Sequence, residues 1–469
     1  MISPSSRPIA VPPSETEAAQ VCANARLQKP GQFANRTSLA ENAARIRFVA
    51  ALVGPLFVVG MIAWFMPFDD LLDRSGTPLG GDYLMLYIAG QTVRDGQSSH
   101  LYDDAAQVVR MLTVIPGIDP DTCRLPYRYP PLTGLLMAPL AMLPFGGSFL
   151  VFTLASSAAG ICAVRTLVKV AFDTDAAGSE PRSRWLRPAL YWIGSWPVVL
   201  ETLAGGQLTL FGLAILALGL LQLKQGNPIR AGLILALAAY KPNLMALLIL
   251  GIVVRYPRAA IGIALGSASL VALQAALAGW SSLTAYAQLG ARLALQTWSL
   301  ETPYWKVHGL AGWVQKLLPG YERPLLLLTG AAGSIAVAWF WRRRPAAPTF
   351  APAVSCLLLI NAICNPYLPI YDLALLAAIP CLLAGTAAGL KFDHLPGAAP
   401  FVLAAAYFGP HLSQAFAPMV GLQLLPGLLI VILLYLLRNP VPNSTQRCYP
   451  AGKADRGRHD RHLSTSIDS

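Results

Sequence analysis

Charge is scarce in this chain. Of 469 residues only 12% are Asp, Glu, Lys or Arg, whereas 55% are hydrophobic. A soluble globular domain carries about 25% charge, so that class is excluded. With a mean hydropathy of +0.52, the long apolar runs read as membrane helices. A β-barrel would need short alternating segments instead. Cysteine is sparse too: seven residues are scattered, and Cys162, Cys356 and Cys381 lie in apolar runs. That pattern gives neither a disulfide framework nor a metal spacing. No Gly-rich phosphate loop and no paired-Asp metal motif is visible, and the Asp103-Asp104 pair alone is a weak signal. No metal and no cofactor is therefore assigned.

A cleavable signal peptide is not expected, and no internal repeat is evident, which weakens a transporter built on inverted repeats. The net charge of +12 does not point to nucleic acid, because no recognition motif accompanies it. The basic residues fall instead in short loops and in the tail KADRGRHDRH, as the positive-inside rule expects.

What is present reads as three regions. Residues 1–46 form a polar cytoplasmic segment and 438–469 a basic cytoplasmic tail, both expected to be disordered. The membrane domain covers 47–437. Its first span is expected at about 47–66. A first outer loop follows over about 67–130, with nine Asp against five Arg. Loops this long are functional or disordered, and its helix-like stretches and tyrosines favour function.

The run 127–145 is short and bounded by proline, and is expected to be a juxtamembrane or re-entrant helix. Spans are expected at about 148–170, 187–201, 208–223 and 259–279. The run 229–254 reads as a hairpin broken at Lys241-Pro242-Asn243. A second outer loop covers about 280–321, a further span ends at Trp341-Arg342, and four more fit at 350–364, 371–386, 396–412 and 420–437. The total is about 12 spans, with both termini inside.

On this topology a polar set converges on the outer face: Asp82, Tyr83, Tyr87, Asp103, Arg128, Glu201, Gln207, Lys241, His308, Tyr367, Tyr371 and Asp372. Polar and charged groups at membrane depth are costly and mark function by default. Each also has a plainer explanation. Asp82 and Asp372 precede helical patterns and suit N-caps. Asp103 suits a cap better than catalysis. Lys241 can snorkel, Gln207 beside two glycines can mark a tight turn, and a loop His is commonly solvated.

The ordered segments are DYLMLYIAG, GQSSHLYD, YRYPPLTGLLMAPLAMLPF, GGQLTLFGLAIL, AGLILALAAYKPNLMALLIL and NPYLPIYDLALL. In this order they resemble glycosyltransferase family 87, also called the DUF2029 family, over roughly 50–385. Its better-known members resemble polyprenol-phosphate-mannose-dependent mannosyltransferases. The resemblance implies a GT-C-type all-α bundle with its site at the outer face and juxtamembrane helices in the outer loop. It also implies a polyprenyl-phosphate sugar donor and a lipid or glycan acceptor. By position Asp82 matches the first-loop aspartate, the candidate general base, and His308 matches loosely a functional histidine.

The chemistry can be argued beside the resemblance. Inverting transfer needs one carboxylate to take the acceptor's proton. The departing lipid phosphate needs cationic or hydrogen-bonding partners. The candidates are Asp82 and His308 for catalysis, with Lys241, Arg128, Gln207, Tyr87, Tyr371 and Asp372 for the donor phosphate or sugar. The expected activity is hexosyl transfer, mannosyl first, at the outer or periplasmic side of a bacterial inner membrane. The alternative is a secondary transporter or lipid flippase.

Overall fold

The computed structural model describes residues 76–119, 125–172, 182–295, 304–343, 350–384 and 399–438, with isolated positions at 59–60, 63 and 71–72. The expected N-terminal segment, the first span at 47–66 and the tail lie outside the described residues, apart from isolated positions and Arg438. Every regular element described is helical, apart from an isolated bridge between Leu72 and Pro78.

The α-helices, in chain order, are α1 (Tyr83–Arg94), α2 (Asp104–Val114), α3 (Pro131–Met137), α4 (Phe145–Phe172), α5 (Arg182–Gly194), α6 (Pro197–Ala204), α7 (Thr209–Lys224), α8 (Pro228–Ala236), α9 (Ala246–Arg255), α10 (Arg258–Ala278), α11 (Trp280–Leu295), α12 (Ala311–Leu317), α13 (Glu322–Arg343), α14 (Phe350–Ile363), α15 (Ala378–Ala384), α16 (Ala399–Val420) and α17 (Leu425–Arg438). Three of them, α4, α10 and α13, are long and apolar enough to cross a membrane, and the pair α6–α7, bent by 117°, makes a fourth if it is one span. Shorter apolar helices of 10–17 residues follow at Pro228–Tyr240, Ala246–Arg255, Phe350–Ile363, Ile370–Leu383 and Leu425–Arg438. Among the described residues the regular structure is thus helical, and its apolar helices mark a membrane protein.

Local sequence explains most boundaries. Asp103 caps α2 by accepting from the backbone N–H of Ala105 (3.1 Å) and Ala106 (3.2 Å), as its plainer explanation required. Pro131, Pro197 and Pro228 open α3, α6 and α8, where a missing N–H costs nothing. α3 has only seven residues, consistent with a run that does not cross on its own. Two expected spans are divided. The run 187–201 is split between α5 and α6, because Pro197 starts a new helix. The run 371–386 becomes a 3₁₀ stretch, Ile370–Ala377, followed by α15. α16 runs to Val420, past the expected end at 412.

Two cores hold the site between them. One gathers Leu213, Leu216 and Leu220 of α7 with Leu248 and Ile252 of α9, Leu357 and Leu358 of α14, and Leu373 and Leu382. The other surrounds α1, where Tyr83 packs against Phe149 and Phe152. α8 and α10 approach so closely that a Cβ on Gly232 or Gly262 would strike the opposing backbone at Ala259 or Ile229. α10 leaves Ile261, Leu265, Val271 and Leu277 exposed, a surface suited to lipid.

Candidate active site

Asp82 occupies the N-cap position of α1 with a helical backbone and no capping hydrogen bond, so the cap explanation fails. Its side chain turns the other way. Oδ2 accepts from Gln207 Nε2 at 2.5 Å and from Tyr371 Oη at 3.3 Å. Among the described residues no donor reaches Oδ1. One carboxylate oxygen is therefore held and the other is open.

Gln207 reaches Asp82 because α6 ends in a tight turn. The N–H groups of Gly205, Gly206 and Gln207 return to the carbonyls of Glu201, Leu203 and Thr202, which satisfies the orphan acceptors of the helix end. Gly206 has φ +61°, and its Cα lies against Tyr83 and the Gly80 carbonyl. Both the left-handed backbone and the close approach call for glycine. Gln207 itself is 2% exposed, and its Oε1 has no donor.

Lys241 lies where two short 3₁₀ turns, Leu237–Tyr240 and Pro242–Leu244, interrupt α8 and α9. Pro242 cannot supply the N–H that would continue the helix, so the chain breaks as the sequence predicts. The lysine does not snorkel. Its Nζ meets Asp372 Oδ2 at 2.6 Å and Oδ1 at 2.7 Å, and lies 5.0 Å from the centre of the Tyr371 ring. Thr209 Oγ1 also donates to Asp372 Oδ1, at 2.7 Å. Asp372 is in the first turn of its 3₁₀ stretch, but its buried carboxylate serves this pair and caps nothing. Tyr371 joins the two halves, touching Asp82 on one side and facing Lys241 on the other.

Tyr129 and Tyr367 each interact electrostatically with both Asp82 and Asp372, and Arg128 interacts with Tyr367. The turn 364–369 is held to the Lys241 break by Asn365 Nδ2, which donates to the Asn243 carbonyl at 2.9 Å. Burial pushes the Asp82 carboxyl above the usual carboxylate range, while the Gln207 hydrogen bond, Lys241 and Tyr371 pull it down.

Five of the eight candidate residues thus form one cluster: Asp82, Gln207, Lys241, Tyr371 and Asp372. Arg128 stands at its edge. Two stand apart. Tyr87 gives its hydroxyl to the Leu143 carbonyl at 2.9 Å and packs edge-on against Phe145, away from the cluster. His308 is fully buried rather than solvated. Its backbone N–H donates to the Leu368 carbonyl at 2.8 Å, and its ring makes no well-aligned hydrogen bond although the backbone of Lys306, Leu368 and Pro410 lies close to it. Burial lowers its pKa to about 4, so at neutral pH it brings no positive charge to a phosphate. Glu201 pairs with His411 at 2.8 Å. Thr209 joins the site through its bond to Asp372, and Tyr129 lies within electrostatic reach of it; neither stands out in the sequence. A lone Thr opening an apolar helix carries no signal, and Tyr129 sits in an aromatic segment that reads equally well as packing. Among the described residues no group of three or more His, Cys, Asp or Glu could hold a metal.

The arrangement offers an open carboxylate oxygen beside a bare amide acceptor, with an ammonium and tyrosine hydroxyls nearby. Such a set can accept a proton from a hydroxyl and meet an anion. No curated protein and no solved structure matches the chain. The profile of glycosyltransferase family 87 matches residues 127–366, just over half the chain and less than the 50–385 expected. Arg128, Gln207, Lys241 and His308 fall inside that region, whereas Asp82, Tyr371 and Asp372 flank it. With this match over a continuous stretch that carries the Lys241 break and the Gln207 turn, the chain belongs to glycosyltransferase family 87.

Proposed function

We propose that this glycosyltransferase moves a hexose, mannose first among candidates, from a polyprenyl-phosphate sugar to a hydroxyl of an envelope glycolipid or glycan, with inversion. The bundle is of GT-C type with about 12 spans. It sits in a bacterial inner membrane with both termini inside and the Asp82 cluster toward the outer or periplasmic side. Asp82 is the general base, and Oδ1 takes the acceptor's proton. Gln207 and Tyr371 hold Oδ2 and fix the carboxylate's direction. The anomeric carbon–phosphate oxygen bond breaks as the carbon–acceptor bond forms, and Lys241 meets the charge that gathers on the phosphate. The bare Oε1 of Gln207 receives a hydroxyl of the bound sugar.

The observation that carries this reading is the Asp82 carboxylate, held through one oxygen, open at the other and joined through Tyr371 to Lys241. Its test is incubation of membranes containing the chain with polyprenyl-phosphate mannose, then mass analysis of the glycolipids and glycans. A new hexosylated product that Asp82→Asn no longer makes supports it, and a product made equally by that variant removes Asp82 as the base.

One observation favours a second reading, a secondary transporter or lipid flippase. Broken helices beside a buried ion pair, here α6–α7 and the Lys241 break, are common at transport sites. Uptake of polyprenyl-phosphate sugar into vesicles without any glycoside product would favour it.

A further inference from the structure

We propose that Asp372 is a fixed counter-ion that keeps Lys241 from trapping the phosphate released by the reaction. The inference rests on Lys241 being the phosphate partner, as argued above. Its starting point is an asymmetry in the pair. The Asp372 carboxylate is wholly buried, on a short side chain, and is held independently by Thr209 at 2.7 Å. The lysine ends a flexible four-carbon stem, retains 11% exposure and lies at a chain break. The carboxylate is thus the stationary member and the ammonium the one that can turn toward a ligand.

The charges of substrate and product then matter. The donor is a phosphodiester with one negative charge. In the transfer, the bond between the anomeric carbon and the phosphate oxygen breaks and leaves its electron pair on that oxygen. The acceptor oxygen forms the new bond, and its proton goes to Asp82. The lipid phosphate that remains is a monoester, whose charge near pH 7 is about −1.5 to −2. A lone ammonium would therefore hold the product more tightly than the donor, and turnover would stall on release.

A fixed carboxylate within 3 Å of that ammonium (2.6 and 2.7 Å) weakens that preference. It repels any arriving anion, and repels the dianion about twice as strongly as the monoanion, since the interaction scales with the product of charges. It also neutralises Lys241 between turnovers, which a buried cation requires. Thr209 has a defined part in this, because it keeps the carboxylate from following the lysine.

The test uses the full chain in lipid nanodiscs with two probes, farnesyl phosphate, a monoester, and farnesyl methyl phosphate, a diester. The expected result is that Asp372→Asn, which keeps shape and an acceptor for Thr209, tightens the monoester by about tenfold or more and the diester by a smaller factor. Asp372→Ser repeats the comparison with a smaller neutral side chain. Lys241→Met weakens both probes, and the neutral double variant Lys241→Met/Asp372→Asn does the same without leaving a buried carboxylate alone. In turnover, Asp372→Asn lowers the donor KM and lowers kcat, with stronger inhibition by added polyprenyl phosphate. If both Asp372 variants weaken the probes as Lys241→Met does, or leave them unchanged, the counter-ion role is overturned while the phosphate role of Lys241 stands. If the Lys241 variants leave both probes unchanged, the reading of Lys241 fails and this inference fails with it.

Discussion

Gln207 donates to Asp82 across 125 positions of sequence, at 2.5 Å, onto the same carboxylate oxygen that Tyr371 reaches from 289 positions away. Two separate segments thus converge on Oδ2 and leave Oδ1 free. That division of labour within one carboxyl group makes Asp82 testable as a base. The Asp82→Asn variant keeps an acceptor for Gln207 and so keeps the packing, but cannot take a proton. Initial rates of hexosyl transfer in membranes should fall by about 100- to 10,000-fold, the usual contribution of a general base. Tyr371→Phe removes only the longer of the two bonds and should cost far less. Equal losses in the two variants would assign Asp82 a structural part.

The pH dependence follows from the same surroundings. Burial raises the Asp82 carboxyl above its ordinary range. A base must be ionised, so kcat/KM should rise with pH through the folded-state value and fall below it. The acid limb should therefore lie above about 4, where an unperturbed carboxylate titrates. Lys241 lowers this pKa and Asp372 raises it. The limb should move up in Lys241→Met and down in Asp372→Asn. Rate profiles over pH 4–8 for the three chains check both signs, and shifts in a common direction would contradict the arrangement.

The breaks that build the site were legible where the chain changes chemistry. Pro242 and the Gly205-Gly206 pair announce interruptions, because one lacks an N–H and the others tolerate left-handed backbone. The pairing of Asp82 with Gln207 and Tyr371 was not legible from periodicity, which reports only neighbours along one helix. It was approached through the order of the short motifs. Tyr87 stands apart from the cluster for a geometric reason. Five residues on from Asp82, it lies roughly 140° round the helix and faces Leu143. The burial of His308 has no local signature, because HGLAGW looks like an open loop and nothing local says that Leu368 and the Pro410–His411 stretch of α16 lie against it.

Gly206 offers a controlled test of how the turn places Gln207. It shares its left-handed backbone with Gly226, φ +61° against +78°, but their surroundings differ. A Cβ at Gly206 would strike Tyr83 and come within 2.8 Å of the Gly80 carbonyl, whereas one at Gly226 would meet nothing within 4 Å. Both alanine variants bear the backbone penalty of about 1–3 kcal/mol. Only Gly206→Ala must also push α1 from the turn and separate Asp82 from Gln207. Its melting temperature should fall further, and transfer should be lost. Gly226→Ala should be less stable than wild type yet active. Matching losses of activity would mean that the Gly206 contact does not set the Asp82–Gln207 geometry.

His308 makes a prediction about stability that is independent of any reaction. Its folded-state pKa is about 4, and in the unfolded chain it is about 6.5. Above the unfolded value neither state binds the proton. Between the two values the unfolded chain takes up a proton that the folded chain refuses, so stability falls as the pH drops. The loss approaches on the order of 3 kcal/mol near the folded value and stops growing below it, where both states are protonated. Carboxylates titrate in the lower part of this window too, so the informative quantity is the difference between wild type and His308→Gln. Gln has no proton to gain and should lose less stability between pH 7 and pH 4.5. Melting temperatures of both chains in nanodiscs at the two pH values measure it. Parallel losses would mean that the imidazole is solvated or charged in the folded protein. A smaller loss in the variant would confirm a neutral, buried ring.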